Sequence, residues 1–444
     1  MSRINFFDLA LRLQGFDIAF AKAELQRLHE LSDADFEAYQ ARQRSAILDH
    51  HLQQNRFYQR LAGSNRRWED LPVLTKADLQ IPLSQRLSNG FSLKQVHQHK
   101  TSGSGGHPFV FAKDKLTHAL SWASFYHYYE QQGIDLSGSL EARFYGIPLD
   151  FLGYRKERLK DWLSARYRFP VFDLSKRQLE RIQTQFEKRP FAYINGYTSS
   201  ILLFARHLLE QDLVLTKLCP TLQCCIVTSE VLFDDDRITL EKALGVPVIN
   251  EYGASEIGLI AMDTPEHLLL IDSPLIYLEI LDEDDQPLPE GETGRIVITS
   301  LYNKAHPFIR YDIGDTGALS STSNQRKVQL ERLEGRTNDI AHLPSGKTVP
   351  GLTFYYVTKK VMEASGNVKE FVVQQTHPHR FHMKYVADRA LTSNEKEHVA
   401  QAVEQYLEPG LELVFERLTH SDRSRRGKLK QFTTLVGKAP SDEA

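Results

Sequence analysis

The stretch Thr101-Ser102-Gly103-Ser104-Gly105-Gly106-His107-Pro108 runs into the apolar residues Phe109-Val110-Phe111. It reads as a turn that opens a strand. Glycine tolerates positive φ and has no side chain to block an approaching group, so such a loop can aim several backbone N–H groups at one anion. The hydroxyls of Thr101, Ser102 and Ser104 add donors, which makes phosphate a natural guest. A plain Gly/Ser turn is the competing reading. The stretch is not a Gly-Lys-Ser/Thr loop opening a helix, and it lacks GxGxxG spacing.

On its C-terminal side, strands and helices alternate. Phe109 to Ala112 reads as a strand and Asp114 to Glu130 as an aromatic-rich helix. Strand-like pieces recur at Phe191–Ile194, Cys224–Thr228 and Val246–Asn250, with helical stretches at Lys176–Lys188, Thr198–Gln211 and Asp235–Leu244. That order predicts a mostly parallel, helix-covered sheet. Upstream, residues 1 to about 60 read as helical, and Thr75 as the cap of a further helix. Downstream, Leu275–Ile280 and Gly294–Thr299 flank an acidic, proline-bearing turn and read as a β-hairpin or meander. From about 340 the elements shorten.

The chain has 444 residues, long enough for two domains, and its 41% hydrophobic and 25% charged content is that of a globular protein. A formal net charge of −3 argues against general nucleic-acid binding. The first residues lack a signal-peptide pattern, and no stretch is long and apolar enough to span a bilayer. Cys219, Cys224 and Cys225 lack the spacing of a zinc site or a disulfide framework. They are expected to be inert thiols in a reducing cytoplasm.

Four more constellations carry chemistry. In Asn250-Glu251-Tyr252-Gly253-Ala254-Ser255-Glu256-Ile257-Gly258 a strand meets a glycine turn, where open α/β sheets bind ligands. Glu256 there can hold Mg²⁺, which needs one or two carboxylates plus phosphate oxygens, or it is a surface Glu near a helix start. Ile309-Arg310-Tyr311-Asp312-Ile313-Gly314-Asp315 puts Asp315 after a glycine, able to accept two ribose hydroxyls or to serve as an ordinary turn residue. Glu334-Gly335-Arg336-Thr337-Asn338-Asp339-Ile340 suits a hinge. Arg423 to Lys430 carries five cations in eight residues, a basic tail on the bland reading.

Taken in order with Thr228-Ser229-Glu230, these motifs span residues 101 to 430. They resemble those of the adenylate-forming superfamily of acyl-CoA synthetases, nonribosomal adenylation domains and luciferases. The form I-R-Y-D-I-G-D and the short N-terminal region look most like the phenylacetate–CoA ligase-like branch, which includes proteins of capsular polysaccharide biosynthesis.

The resemblance implies an α/β fold. It has a large N-terminal domain (1–337) with helix-covered, mostly parallel sheets and a β-rich subdomain, plus a small mobile α+β C-terminal domain (338–444). It also assigns roles. Thr101, Ser102, Gly103, Ser104, Gly105 and Gly106 hold the β- and γ-phosphates of ATP. Ser229 and Glu230 border the adenine. Tyr252 stacks on it beside Gly253, Ser255 meets the α-phosphate and Glu256 ligates Mg²⁺. Asp315 binds the ribose, Arg336 the ribose or phosphate, and Asn338 is the hinge. Lys428 bridges the carboxylate and α-phosphate. Tyr145 and Tyr197 fall in stretches that line the acyl pocket in relatives, or are plain core aromatics; aromatic walls suit an aryl or flat acid.

The implied activity is ATP-dependent adenylation of a carboxylic acid, then transfer to coenzyme A. A carrier-protein thiol or an amine is the alternative acceptor, and a non-catalytic adenylate-binding protein the third reading. A homodimer is compatible with these readings. Three departures stand out. His107 replaces a frequent Lys, Asn338 the usual Asp or Lys, and Ser229-Glu230-Val231 the usual Gly/Ala-Glu-Pro.

Overall fold

The structure, a computed structural model, describes residues 6–100, 109–146, 151–324, 326–334, 340–350, 353–354, 357, 368–418 and 432–436. Apolar residues at helical steps build α1 (Phe6–Leu13), α2 (Ile18–His29), α3 (Asp33–Gln54) and α4 (Arg56–Ala62). The side chains of Asp17, Ser32 and Asn55 each accept from the N–H three residues on and so start α2, α3 and α4. β1 (His97–Lys100) pairs antiparallel with β2 (Val110–Lys113), and Asp114 then caps α5 (Lys115–Gln131).

Next come β3 (Glu141–Phe144), α6 (Phe151–Leu163), β4 (Arg166–Phe169), α7 (Lys176–Lys188) and β5 (Tyr193–Tyr197). They lead into α8 (Thr198–Leu209), α9 (Leu215–Leu218), β6 (Cys224–Thr228) and α10 (Asp234–Leu244). A run of strands follows: β7 (Val248–Ala254), β8 (Gly258–Asp263), β9 (Leu269–Ile271), β10 (Ile276–Leu281), β11 (Gly294–Ser300), β12 (Tyr311–Leu319) and β13 (Gln329–Glu334). The remaining elements are β14 (Ile340–His342), β15 (Thr348–Pro350), β16 (Val368–His377), β17 (Arg380–Ala387), α11 (Ser393–Tyr406), β18 (Glu412–Leu418) and β19 (Phe432–Thr434).

The described residues fall into two compact units. The first draws on 1–101, 109–139 and 249–335, the second on 140–248 and 336–444. In the first unit, antiparallel strands run in the order β10-β11-β12-β13-β9-β8-β7. Its core joins Ala21 and Leu25 of α2, Leu120 and Ala123 of α5, and the sheet residues Ile260, Ile296 and Ile298. Each Leu or Ile among them contributes roughly 1.5–3 kcal/mol when fully buried.

In the second unit β4, β3, β5 and β6 are parallel neighbours in that order. Phe144, Phe186, Phe191 and Phe204 fill the core beneath α7 and α8. The same unit carries a mixed sheet, β18-β17-β16-β19, against which α11 packs Val399 and Val403. The α/β class expected from the sequence is the one observed, and its parallel part lies in β3 to β6.

Two local expectations change. Thr75 caps no helix: its N–H and Oγ1 both donate to Asp78 Oδ2 in an isolated turn. Pro82 follows, and the residue before a proline avoids the helical region. The strand read at 191–194 runs instead from Tyr193 to Tyr197. Cys219, Cys224 and Cys225 are buried and unbridged, and burial pushes the Cys224 thiol up to about 12, as suits unreactive core thiols. Among the described residues no helix is long and apolar enough to cross a membrane.

Candidate active site

In the first unit, β7 and β8 form a hairpin in which Ala254 pairs with Gly258, leaving Ser255, Glu256 and Ile257 as the turn. The turn closes through the Ile257 N–H to the Ala254 carbonyl at 3.1 Å. Gly258 takes φ +117°, a conformation a side chain rarely permits, so glycine suits the residue that leaves the turn. Ser255 is exposed at the tip, Gly253 is exposed in β7, and Glu256 is half-buried.

The strand β12 meets this hairpin. Arg295 and Val297 of β11 flank one residue, whereas their partners Thr316 and Asp312 flank three, so β12 is bulged at Ile313-Gly314-Asp315. Gly314 has φ +80° and its N–H donates to Asp312 Oδ1 at 2.7 Å. A bulge re-aims side chains beside it. Here Asp315 Oδ2 accepts from the Tyr252 hydroxyl at 3.0 Å, and the Tyr311 hydroxyl donates to Glu256 Oε1 at 3.1 Å. Asp315 thus lies within a strand rather than after a turn. Two motifs about sixty residues apart are joined by two phenol–carboxylate bonds. Tyr252 and Tyr311 are both buried, Tyr311 among Phe109 and Phe308.

Behind the hairpin, Lys113 Nζ donates to the Ile257 carbonyl at 2.9 Å. From α5, Tyr129 donates to Glu251 Oε2 at 2.7 Å. Sequence reasoning missed Tyr311, although it stands inside a quoted motif, and Lys113 and Tyr129, which no motif marks.

The second unit gathers the other described candidates at the C-terminal ends of its parallel strands. Tyr145 follows β3, Tyr197 ends β5, and Ser229 and Glu230 follow β6. Ligands of open α/β sheets bind at such ends. The rings of Tyr145 and Tyr197 lie 4.6 Å apart, tilted by 50°, with the Arg143 guanidinium 4.3 Å from the Tyr145 centroid. Ser229 is exposed at φ +70°, a strained value for a residue with a side chain. Glu230 Oε2 accepts from the Ser199 N–H at 2.7 Å and so serves the N-terminus of α8. Its Oε1 is buried without a hydrogen-bond partner among the described residues. Burial raises this carboxyl's pKa, and the Ser199 bond only partly offsets that.

Thr101, Ser102, Gly103, Ser104, Gly105, Gly106, Arg336, Asn338 and Lys428 lie outside the described residues. Among the described residues no three His, Cys, Asp or Glu side chains are grouped to hold a metal ion. A single carboxylate held by a phenol, as Glu256 is, fits an ion that takes most of its oxygens from water and phosphate.

No family model matches the chain. Over 284 residues it is 24% identical to protein CapK of Staphylococcus aureus, covering 61% of this chain and 59% of that one. Over 112 residues it is 32% identical to the phenylacetate-coenzyme A ligase of Escherichia coli K12, covering 23% and 25%. The chain therefore matches three-fifths of the first relative's length and a quarter of the second's. Its backbone also follows crystal structures of 2-hydroxyisobutyryl-CoA ligase. With the form in the postadenylation state, in complex with 2-HIB-AMP, the TM-score is 0.55 at 17% identity, over 91% of this chain and 90% of that one. With the open conformation, which holds 2-HIB-AMP and CoA, the TM-score is 0.53 at 16% identity, over 91% and 92%. At such identity the likeness is one of fold. Over most of its length the chain shares the fold of a crystallised acyl-CoA ligase, and over parts of it the sequence is similar to those of CapK and phenylacetate-coenzyme A ligase.

Proposed function

We propose that this protein is an AMP-forming ligase that activates a carboxylic acid with ATP and passes the acyl group to the thiol of coenzyme A. The observation that carries this reading is the joining of Tyr252 to Asp315 and of Tyr311 to Glu256. It sets two carboxylates beside an exposed serine turn in one cluster of the first unit.

A carboxylate is a poor electrophile because its charge repels nucleophiles. In the proposed first step a substrate oxygen attacks the α-phosphorus of ATP, the P–O bond to pyrophosphate breaks, and the acid gains AMP as a leaving group. Both partners are anions, so the protein must align them and offset their charge. Asp315 accepts from the ribose hydroxyls and fixes the nucleoside. Tyr252 offers its ring to the base while its hydroxyl orients Asp315. Ser255 at the turn donates to the α-phosphate. Glu256, oriented by Tyr311, would hold Mg²⁺, which supplies positive charge to the phosphate oxygens when bound.

The loop 101–106 would hold the leaving pyrophosphate, with Arg336 beside the ribose or phosphate and Lys428 bridging the two anions. Ser229 and Glu230 would border the base. In the second step the thiol sulfur attacks the acyl carbon, AMP leaves, and the thiol proton passes to solvent. Movement of 338–444 about Asn338 would exchange the lysine for the thiol. Tyr145 and Tyr197 form the aromatic wall proposed for the acid. A cytoplasmic setting, where ATP and coenzyme A are abundant, suits this chemistry.

The test is pyrophosphate release by the purified protein across a panel of aryl, branched and hydroxylated acids, with and without coenzyme A. Acid-dependent release, with AMP and a thioester formed when coenzyme A is present, supports the reading. Folded protein that releases none with any acid refutes it. In a second reading an amine or a carrier-protein thiol takes the acyl group. Release that occurs without coenzyme A, and yields an amide or an acylated carrier when these are added, selects it.

A further inference from the structure

Lys113 ends β2, one residue before the cap of α5, and is only 5% exposed. A buried ammonium is costly unless it is paired, and replacing a buried charge by an apolar side chain of similar size is often neutral or stabilising. Among the described residues no carboxylate forms an ion pair with Lys113. Its partners are the Ile257 carbonyl at 2.9 Å and Ser121 Oγ at 3.5 Å. A Cβ placed on Gly258 would lie 3.5 Å from Nζ, so the ammonium sits directly beneath the hairpin tip.

The carboxylate that it feels is Glu256, whose attraction partly opposes the effect of burial; burial lowers the Lys113 pKa to about 8. The other titratable groups coupled to it are His97 and His118. Burial depresses both, and neighbouring charges, this ammonium among them, depress them further. Such a group is poorly chosen for stability and well placed to govern the turn above it.

We propose that Lys113 is a positioning residue for Glu256: it clamps the Ser255-Glu256-Ile257 turn from the protein interior through the Ile257 carbonyl, while Tyr311 holds the Glu256 carboxylate from β12. The backbone one residue past Glu256 and the Glu256 side chain are then fixed from two independent strands. The functional half of this inference rests on the ligase reading above; the clamp itself does not.

The experiment compares the wild type with Lys113→Met, which removes charge and donor, and Lys113→Gln, which keeps a donor without charge. Three quantities are read: melting temperature, amide hydrogen exchange across 253–259, and the Mg²⁺ concentration and acid KM in pyrophosphate release. The clamp predicts that Lys113→Met melts no lower than the wild type. Its amides at 255–258 exchange at least tenfold faster while those of α5 are unchanged. Half-saturating Mg²⁺ rises at least fivefold at an unchanged acid KM. Lys113→Gln lies between the two in exchange, and it serves as the test variant should Lys113→Met not fold.

Unchanged exchange at 255–258 in a folded variant overturns the clamp. So does a uniform rise in exchange across the first unit with a lowered melting temperature, because that marks a packing role. A parallel change in Mg²⁺ requirement and acid KM overturns the positioning of Glu256. A wild type that releases no pyrophosphate with any acid defeats the ligase reading instead, and the exchange comparison still decides the clamp.

Discussion

Tyr311→Phe isolates one atom of the proposed site. The Tyr311 ring is 1% exposed and packs with its centroid 5.2 Å from that of Phe308, so a phenylalanine keeps the packing. What is lost is the hydroxyl that donates to Glu256 Oε1 at 3.1 Å. A hydrogen bond to a charged group contributes about 1.5–3 kcal/mol when buried. Glu256 is only half-buried, so water recovers part of that, and about 1 kcal/mol is the loss expected in the placement of its carboxylate. At about 1.4 kcal/mol per decade, kcat/KM for ATP falls roughly five- to tenfold. Melting temperature moves by less than about 2 °C, since no cavity is made. The assay is pyrophosphate release at saturating acid and Mg²⁺ with ATP varied, paired with a thermal melt. The reasoning is refuted if kcat/KM for ATP is unchanged. It is equally refuted if the rate loss comes with a fall of several degrees in melting temperature.

Asp315→Asn exchanges one acceptor oxygen for a donor, so KM for ATP rises by about 10- to 100-fold, worth roughly 1.5–3 kcal/mol, with a smaller change in kcat; steady-state kinetics decide it. Lys428→Ala abolishes adenylation but leaves thioester formation from a pre-made acyl-adenylate within about threefold, measured by single turnover.

Asp272 is fully buried, accepts from Ser124, and is pushed up to about 7 by burial, above its unfolded value of 3.8. Between those pH values the folded state binds more protons than the unfolded state. Stability therefore falls as pH rises through this window. Asp272→Asn removes that loss. In urea titrations it becomes more stable relative to the wild type between pH 5 and pH 8, by at most about 3 kcal/mol. A constant difference across that range contradicts the assignment.

Much of this was legible in the residues, for identifiable reasons. Helical steps of apolar residues marked α2 and α5, and the continuous apolar run Cys224–Val227 marked β6, because burial on one face or two leaves a period in the sequence. The β10–β11 pair was readable from two apolar runs around an acidic turn. Thr75 misled because its cap contacts do form, yet Pro82 stops the chain from continuing as a helix. Tyr252, Glu256 and Asp315 could be named from their motifs. Their joining could not, since it depends on a bulge in β12 that no local pattern announces. Tyr311 and Lys113 escaped for the same reason. One reads as an aromatic in an apolar run and the other as a charge at a strand end, and only the tertiary fold brings them to the hairpin.

The most direct measurement is a crystal structure of the protein with AMP and Mg²⁺. The account predicts ribose hydroxyls within hydrogen-bond distance of Asp315, the base against Tyr252, and the α-phosphate at the Ser255-Glu256 turn. A nucleotide bound elsewhere, with Asp315 and Glu256 both untouched, would contradict it.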